Sequence, residues 1–294
     1  MGTPSRRAVL GGAAGVGLGA LATQAAATTP GRFSGKVVMI TGATSGIGEA
    51  TARAFAATGA RVVFCGRRAN LGREIERSIR AAGGAATYIQ ADVRVPDEVR
   101  HFVDGGVRRY GRLDIAFNNA GVQISAKLHE VTAGQWDDVT NTNARGVFLA
   151  MKYQIPHMLA RGGHIIVNSS VGAIVGRPNL STYQATKQAV QALVKSAALE
   201  YGAQGIRVNA ILPGITDTAM IRPPGLDDAT WQRALAYLGQ ENVDGLKKVA
   251  TPAMIAQAVL GLAGDEFAYL TGACVPVDGG IAAGRRAAGA LALT

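Results

Sequence analysis

The sequence predicts an α/β fold, a doubly wound parallel sheet of about seven strands with helices on both faces. Three observations predict it. From Lys36 onward short apolar runs alternate regularly with helix-length amphipathic segments. The runs are apolar at nearly every position, as parallel strands buried on both faces are. A glycine-rich turn joins the first run to the first helix, where a strand must reverse sharply.

The elements follow in order. Val37-Val38-Met39-Ile40 is the first strand, and a helix over about 46–58 follows it. Arg61-Val62-Val63-Phe64-Cys65 is the second strand, with a helix to about Ala82. Ala86-Thr87-Tyr88-Ile89 is the third, then a helix starting near Pro96. Leu113-Asp114-Ile115-Ala116-Phe117 is the fourth, Gly163-His164-Ile165-Ile166-Val167-Asn168 the fifth, and Ile206-Arg207-Val208-Asn209-Ala210-Ile211 the sixth. Ala273-Cys274-Val275-Pro276-Val277 is the seventh, at an edge where Pro276 is tolerated. No internal repeat or linker divides the run.

The N-terminus reads differently. No acidic residue precedes Glu49. Ser5-Arg6-Arg7-Ala8 opens a Gly/Ala-rich apolar stretch to about Ala22, and Ala25-Ala26-Ala27 follows. A charged start, a short apolar run and small residues describe a secretory signal. The paired arginines resemble the signal of the twin-arginine route, which carries folded proteins. Residues 1–30 are therefore expected to be a leader cleaved near Ala27, and 31–294 one catalytic domain. The expected location is periplasmic or extracellular, or cytoplasmic if the leader does not function. The apolar run is too short and glycine-rich for a membrane span, so no stable membrane insertion is expected.

Composition narrows the function. The chain has 294 residues, 48% hydrophobic and only 17% charged, which suits a buried core rather than disorder. The formal net charge is +10, yet the arginines are scattered and aromatics are only 5%, so no nucleic-acid face is expected. A positive field still attracts a phosphate-bearing ligand. Cys65 and Cys274 form no C-x-x-C pair and the four histidines are dispersed, so no metal site is expected.

The turn Thr41-Gly42-Ala43-Thr44-Ser45-Gly46-Ile47-Gly48 is a candidate pyrophosphate cradle. Its glycines let backbone approach the ligand, and the helix N-terminus attracts negative charge. At the end of the second strand a carboxylate would bind the ribose hydroxyls and repel a 2′-phosphate. That position is Gly66, followed by Arg67 and Arg68. The guanidinium of Arg67 there pairs with the extra phosphate, so NADP(H) is the preferred cofactor, with NAD(H) the alternative.

The glycine turn, Asn118-Asn119-Ala120-Gly121 and the pair Tyr183-x-x-x-Lys187 together resemble the short-chain dehydrogenase/reductase family, over about residues 34–281. The resemblance implies a Rossmann-type fold and the following roles. Asp92 and Val93 hold the adenine ring. Asn119, Ala120 and Gly121 line the cofactor cleft. Asn143 anchors a water in a proton relay. Pro213 and Gly214 follow the sixth strand, and the nicotinamide amide meets Thr216 and Thr218. Val277-Asp278-Gly279-Gly280 matches the family's C-terminal segment. Ser170 lies at the family's offset before Tyr183, with Ser169 the competing choice. The topology also places Cys65 and Cys274 on opposite sides of the first strand, so no disulfide is expected.

The chemistry agrees. A hydride moved to a ketone leaves an alkoxide that needs a proton, and a free tyrosine titrates near pH 10. Tyr183 and Lys187 share a helix face, and an ammonium beside the phenol favours its ionised form. Ser170 would hydrogen-bond the substrate oxygen. The catalytic candidates are thus Asn143, Ser170, Tyr183 and Lys187, with Lys187 also holding the nicotinamide ribose. The segment 219–249 is expected to lid the substrate pocket with a helix around 230–238, where Trp231, Tyr237 and Leu238 line the pocket or pack the helix. No charge clamp is evident, which favours a neutral alcohol or ketone. The helix over 181–204 is apolar on more than one face (Ala189, Ala192, Leu193, Ala197), and the resemblance makes its second partner another subunit, in a homodimer or homotetramer. A non-catalytic NAD(P)-binding sensor or scaffold on the same fold is the rival reading.

Overall fold

The computed structural model describes residues 31–285. The expected leader lies outside the described residues. The chain first forms β1 (Val37–Thr41), every residue of which is buried. Its side chains alternate between two cores: Val38 and Ile40 enter one, Met39 the other. That is the period-two geometry of a strand covered on both faces.

The remaining strands are β2 (Arg61–Gly66), β3 (Ala85–Gln90), β4 (Ile115–Asn118), β5 (Gly163–Asn168), β6 (Ile206–Pro213) and β7 (Cys274–Val277). They pair in parallel in the order β3-β2-β1-β4-β5-β6-β7. The order reverses beside β1, so the carboxyl ends of β1 and β4 open the crevice where such sheets bind ligands.

The helices are α1 (Gly46–Ala57), α2 (Ala69–Ala81), α3 (Pro96–Tyr110), α4 (Ala133–Thr140), α5 (Gly146–Gln154), α6 (Ser181–Tyr201), α7 (Asp228–Asn242) and α8 (Pro252–Ala263). One face of the sheet is covered through Phe55 of α1, Ile75 and Ile79 of α2, and Ile255 and Val259 of α8. The other is covered through Phe102 of α3, Val147 of α5, and Val190 and Val194 of α6. Phe55, Phe64, Phe102 and Phe117 are among the largest fully buried side chains, each contributing about 2–3 kcal/mol by removal from water.

Seven parallel strands agree with the expectation. Several boundaries differ, each with a local cause. The fourth strand starts at Ile115, not Leu113. The Asp114 carboxylate accepts from the Val37 N–H at 2.8 Å, and Arg112 is ion-paired to it, so a side chain takes one of the two Val37 partners there while the Asp114 N–H still donates to the Val37 carbonyl at 3.0 Å. The long helix ends at Tyr201, and a 3₁₀ turn (Gly202–Gln204) leads into left-handed Gly205. The lid helix is longer than expected, because Asp227 caps it by accepting from Thr230 N at 2.8 Å. Helix α8 was not anticipated: it is apolar on most sides and carries no periodic polar face to read.

Cys65 sits on β2 and Cys274 on β7, both as free thiols, five strand spacings apart. At ~4.8 Å per spacing that is ~24 Å, far beyond the ~7 Å Cα separation a disulfide spans. On α6, Ala197 packs into the chain's own core, whereas Ala189 and Ala192 are exposed and Leu199 is 88% exposed. Among the described residues, no helix is long and apolar enough to cross a membrane.

Candidate functional site

A cleft of about 590 Å³ opens at the carboxyl ends of β1 and β4. Its floor is built from β1. Gly42 (φ +67°) and Gly46 (φ +60°) adopt the left-handed conformation. A Cβ on Gly42 would lie 2.6 Å from the Ala120 Cα, so this turn and the loop after β4 touch backbone to backbone. A Cβ on Gly48 would meet Asn119 Nδ2 and the Gly42 carbonyl at 2.5 Å, which explains the third glycine as packing. Ser45 is the N-cap of α1 but makes no capping bond with its own side chain. The first amides of α1 therefore remain available at the cleft, beside Gly46 and Ile47.

Asn119 ties these parts together. Its backbone N–H and that of Ala120 donate to Thr41 Oγ1 at 3.0 and 3.1 Å. Its side-chain amide donates to the Thr41 and Gly42 carbonyls at 3.1 and 3.0 Å, and its carbonyl oxygen accepts from Asn168 Nδ2 at 2.8 Å.

At one end the cleft is basic. Arg67 and Arg68 both line it. Arg68 donates from Nε and Nη2 to Thr44 Oγ1 at 3.2 and 2.9 Å, and from Nη2 to Ser45 Oγ at 2.6 Å. The expectation named Arg67. Arg68 is the arginine held on the phosphate turn, while the Arg67 carbonyl accepts from Gln90 at 3.2 Å. Asp92 and Val93 form the neighbouring wall. Burial alone would raise the Asp92 carboxyl, but hydrogen bonds and charge from Arg94, which also pairs with Asp138, hold it below the usual carboxylate range.

The other end holds the chemical groups. Tyr183 and Lys187, one turn apart on α6, face the cleft with Ser170. Ser170 adjoins the Tyr183 hydroxyl. Burial pushes the phenol above its ordinary pKa, with Ser170 opposing. Lys187 is 3% exposed, and burial brings its ammonium down to about 8. Lys187 Nζ donates to the Asn168 carbonyl at 2.6 Å and lies 5.5 Å from the centre of the Tyr183 ring. Ser170 Oγ also accepts from Gly172 N at 3.0 Å, which aims it. Ser169, the competitor, is committed elsewhere: it donates to the Lys187 carbonyl at 2.8 Å and accepts from Gln191.

Asn143 lies behind this group, fully buried in a π-helical turn (Asn141–Arg145) between α4 and α5. Such turns are frequent at functional sites. Its side chain is committed, accepting from Val122 N at 2.8 Å and donating to the Val122 carbonyl and Thr186 Oγ1 at 2.9 and 3.1 Å.

Of the catalytic and cofactor-binding residues expected from sequence, all line the cleft except Gly48 and Asn143. Pro213, Gly214, Thr216 and Thr218 come from β6 and its continuation. Paired bonds between Ile215, Asp217 and Ala250 (2.9 and 3.0 Å) pin the neck of the 219–249 segment. Of its three named side chains only Leu238 lines the cleft. Trp231 packs inward and donates to Asp217 Oδ1 at 2.8 Å, and Tyr237 is 66% exposed. The cleft also contains an unforeseen charge. Arg177, from the loop before α6, lines it, a charge the sequence reading did not name.

Comparison with known proteins agrees with this geometry. The family model described as Enoyl-(Acyl carrier protein) reductase matches residues 42–282. Cis-4-hydroxycyclohexanecarboxylate dehydrogenase of Sinomonas cyclohexanicum is 38% identical over 253 residues, covering 85% of this chain and 98% of the relative. 3beta-hydroxysteroid dehydrogenase of Mediterraneibacter gnavus is 35% identical over 264 residues, covering 85% and 96%. The crystal structure of levodione reductase superposes with a TM-score of 0.79 at 34% identity, covering 86% of this chain and 99% of that one. The chain therefore belongs to the short-chain dehydrogenase/reductase family and is an NAD(P)-dependent oxidoreductase acting on CH–OH groups.

Proposed function

We propose that this protein moves a hydride between NADP(H) and a secondary alcohol or its ketone, with Tyr183 as the general acid and base. The observation that carries the reading is the meeting of Ser170, Tyr183 and Lys187 in the same cleft as the glycine turn. When bound, the nicotinamide supplies or takes the hydride. Its fit rests on the uncapped N-terminus of α1 for the pyrophosphate and the guanidinium of Arg68 beside it. Arg67 and Arg68, with Gly66 where a carboxylate would stand, favour the phosphorylated cofactor.

The residues divide the proton work. Ser170 donates to the substrate oxygen and fixes it near Tyr183. In reduction Tyr183 gives its proton to that oxygen, and a raised pKa keeps the phenol protonated for the purpose. In oxidation the Lys187 cation favours the phenolate, and it does so below about pH 8. Asn143 braces Val122 against α6 and offers its backbone carbonyl to a relay water.

The names of two relatives place the reacting hydroxyl on a ring, a hydroxycyclohexane in one and a hydroxysteroid in the other. A ring alcohol is accordingly the proposed substrate class here. The proposal extends to a homodimer or homotetramer, supported by the exposed Ala189, Ala192 and Leu199 on α6. It also extends to export of the folded enzyme behind a twin-arginine leader over 1–30, supported by Arg6, Arg7 and the apolar run after them.

The test is a panel of cyclic alcohols and ketones, read at the nicotinamide absorbance with both cofactors and with Tyr183→Phe. Removing a general acid costs about 10²–10⁴-fold in rate. Near-wild-type turnover by Tyr183→Phe would remove tyrosine from the mechanism. Binding of NADPH without turnover of any compound would favour the sensor reading.

A further inference from the structure

Arg177 is the one cleft residue whose charge has no role in the reading above. It sits between Gly176 and Pro178 in the loop that joins Ser170 to α6, half-buried, and lines the cleft with Tyr183. Among the described residues its guanidinium makes no hydrogen bond or ion pair. The other charges of the cleft are placed differently. Arg68 is held by Thr44 and Ser45, and Lys187 by the Asn168 carbonyl. Arg67 lines the end of the cleft just after β2, and Asp92, the only carboxylate lining the cleft among the described residues, is paired with Arg94.

The loop around Arg177 is anchored on both sides. Gln184 of α6 donates to the Gly172 and Val175 carbonyls at 3.0 and 2.8 Å. Beyond Arg177, Ala126 N donates to the carbonyl of Asn179 at 3.0 Å, and Asn179 itself adopts φ +64°. An arginine on a pinned loop loses less freedom on binding than one on a mobile loop. Burial and the like charge of Arg285 both disfavour the free cation, and an anion would relieve both. The same cleft is lined by hydrocarbon from Leu180, Met220, Ile221 and Leu238.

We propose that Arg177 binds a carboxylate on the substrate, so that this enzyme acts on hydroxy acids or keto acids whose hydrocarbon body lies against Leu180, Met220 and Leu238. One guanidinium fork matches one carboxylate in a two-point bond, and Arg177 is the arginine that lines this end of the cleft, Arg285 acting on it by charge without lining the cleft. The assignment rests on the hydride-transfer reading of the cleft and deepens it.

Binding tests it independently of turnover. Calorimetric titration of the NADP⁺-loaded protein would compare cyclohexanecarboxylate, benzoate and octanoate, each with its neutral carboxamide. The wild type is expected to bind at least one acid about 10-fold or more tightly than its amide. Arg177→Gln should lower the acid's affinity about 10- to 100-fold and leave the amide's unchanged within error. Arg177→Lys, which keeps the charge but not the fork, should restore part of the preference. A wild type that prefers no acid over its amide overturns the proposal, as does a preference that survives in Arg177→Gln. Turnover is scored separately. Absence of hydride transfer to any alcohol or ketone defeats the catalytic reading, while the acid-over-amide comparison still decides Arg177.

Discussion

Substitution of Arg68 by alanine isolates the extra phosphate that distinguishes the two nicotinamide cofactors. Three donor contacts hold its guanidinium to Thr44 and Ser45, at 2.6–3.2 Å. It is therefore oriented before any ligand arrives. A charge-assisted bond to a phosphate is worth about 1.5–3 kcal/mol. At about 1.4 kcal/mol per decade, Arg68→Ala should weaken NADPH binding about 10- to 150-fold. NADH lacks that phosphate and should lose no more than about 3-fold, because the freed Thr44 and Ser45 hydroxyls can turn to water in the open cleft. Arg67→Ala should act in the same direction with a smaller effect, since no side-chain contact positions that guanidinium. The assay is fluorescence titration of both cofactors against the wild type and both variants. Equal losses for the two cofactors, or a wild type that binds NADH more tightly, would refute the reasoning.

Three further outcomes follow from the same geometry. Gly42→Ala places a side chain at φ +67° with its Cβ 2.6 Å from Ala120. The left-handed conformation costs about 1–2 kcal/mol and the overpacking about 1–3 kcal/mol. Urea unfolding without cofactor should show a loss of about 2–5 kcal/mol, and a change under ~0.5 kcal/mol would contradict the close approach. His164 is 3% exposed, its Nε2 bonded to Asn209 at 3.0 Å, and burial takes its pKa down to about 3. The unfolded chain then binds more protons than the folded one between about pH 3 and the ordinary value of 6.5, so stability falls as pH drops through that window. At pH 5 this costs about 2 kcal/mol relative to pH 8. His164→Gln should lose correspondingly less over the same pH interval, and parallel losses in both proteins would clear His164. Finally, the raised Tyr183 phenol keeps its proton through neutrality. The kcat/KM of reduction should be level from about pH 6 to 8 and decline only at alkaline pH, so a decline already complete by pH 7 would exclude Tyr183 as the acid.

Much of this protein is written locally in its chain. The strands are legible because each is built on a short apolar run with two covered faces, such as Val37–Ile40 and Ile165–Val167, whose strands carry polar residues only at or near their ends. The glycine turn, Asn119, Ser170 and the Tyr183–Lys187 pair are legible because chemistry demands those residue types at set spacings. Helix α8 was not, because a segment that is apolar on most sides looks the same as a buried strand until its partner α1 is in place. The early start read for β4 failed because only the fold shows that the Val37 N–H is taken by the Asp114 side chain.

The sequence by itself thus determined the order of the strands, the glycine turn at the cleft and the candidate reacting groups Ser170, Tyr183 and Lys187. These depend on nearest neighbours and on a period of two or of three to four residues. Only the tertiary structure decided between residues that differ by direction rather than by type. Ser169 and Ser170 are adjacent and identical, yet one bonds the Lys187 carbonyl and the other faces Tyr183. Arg67 and Arg68 are adjacent and identical, yet Arg68 lies on the turn. Arg177 reads as an ordinary loop arginine until the loop folds over the cleft. Side-chain direction is set by long-range packing of segments dozens of residues apart, and no local pattern encodes it.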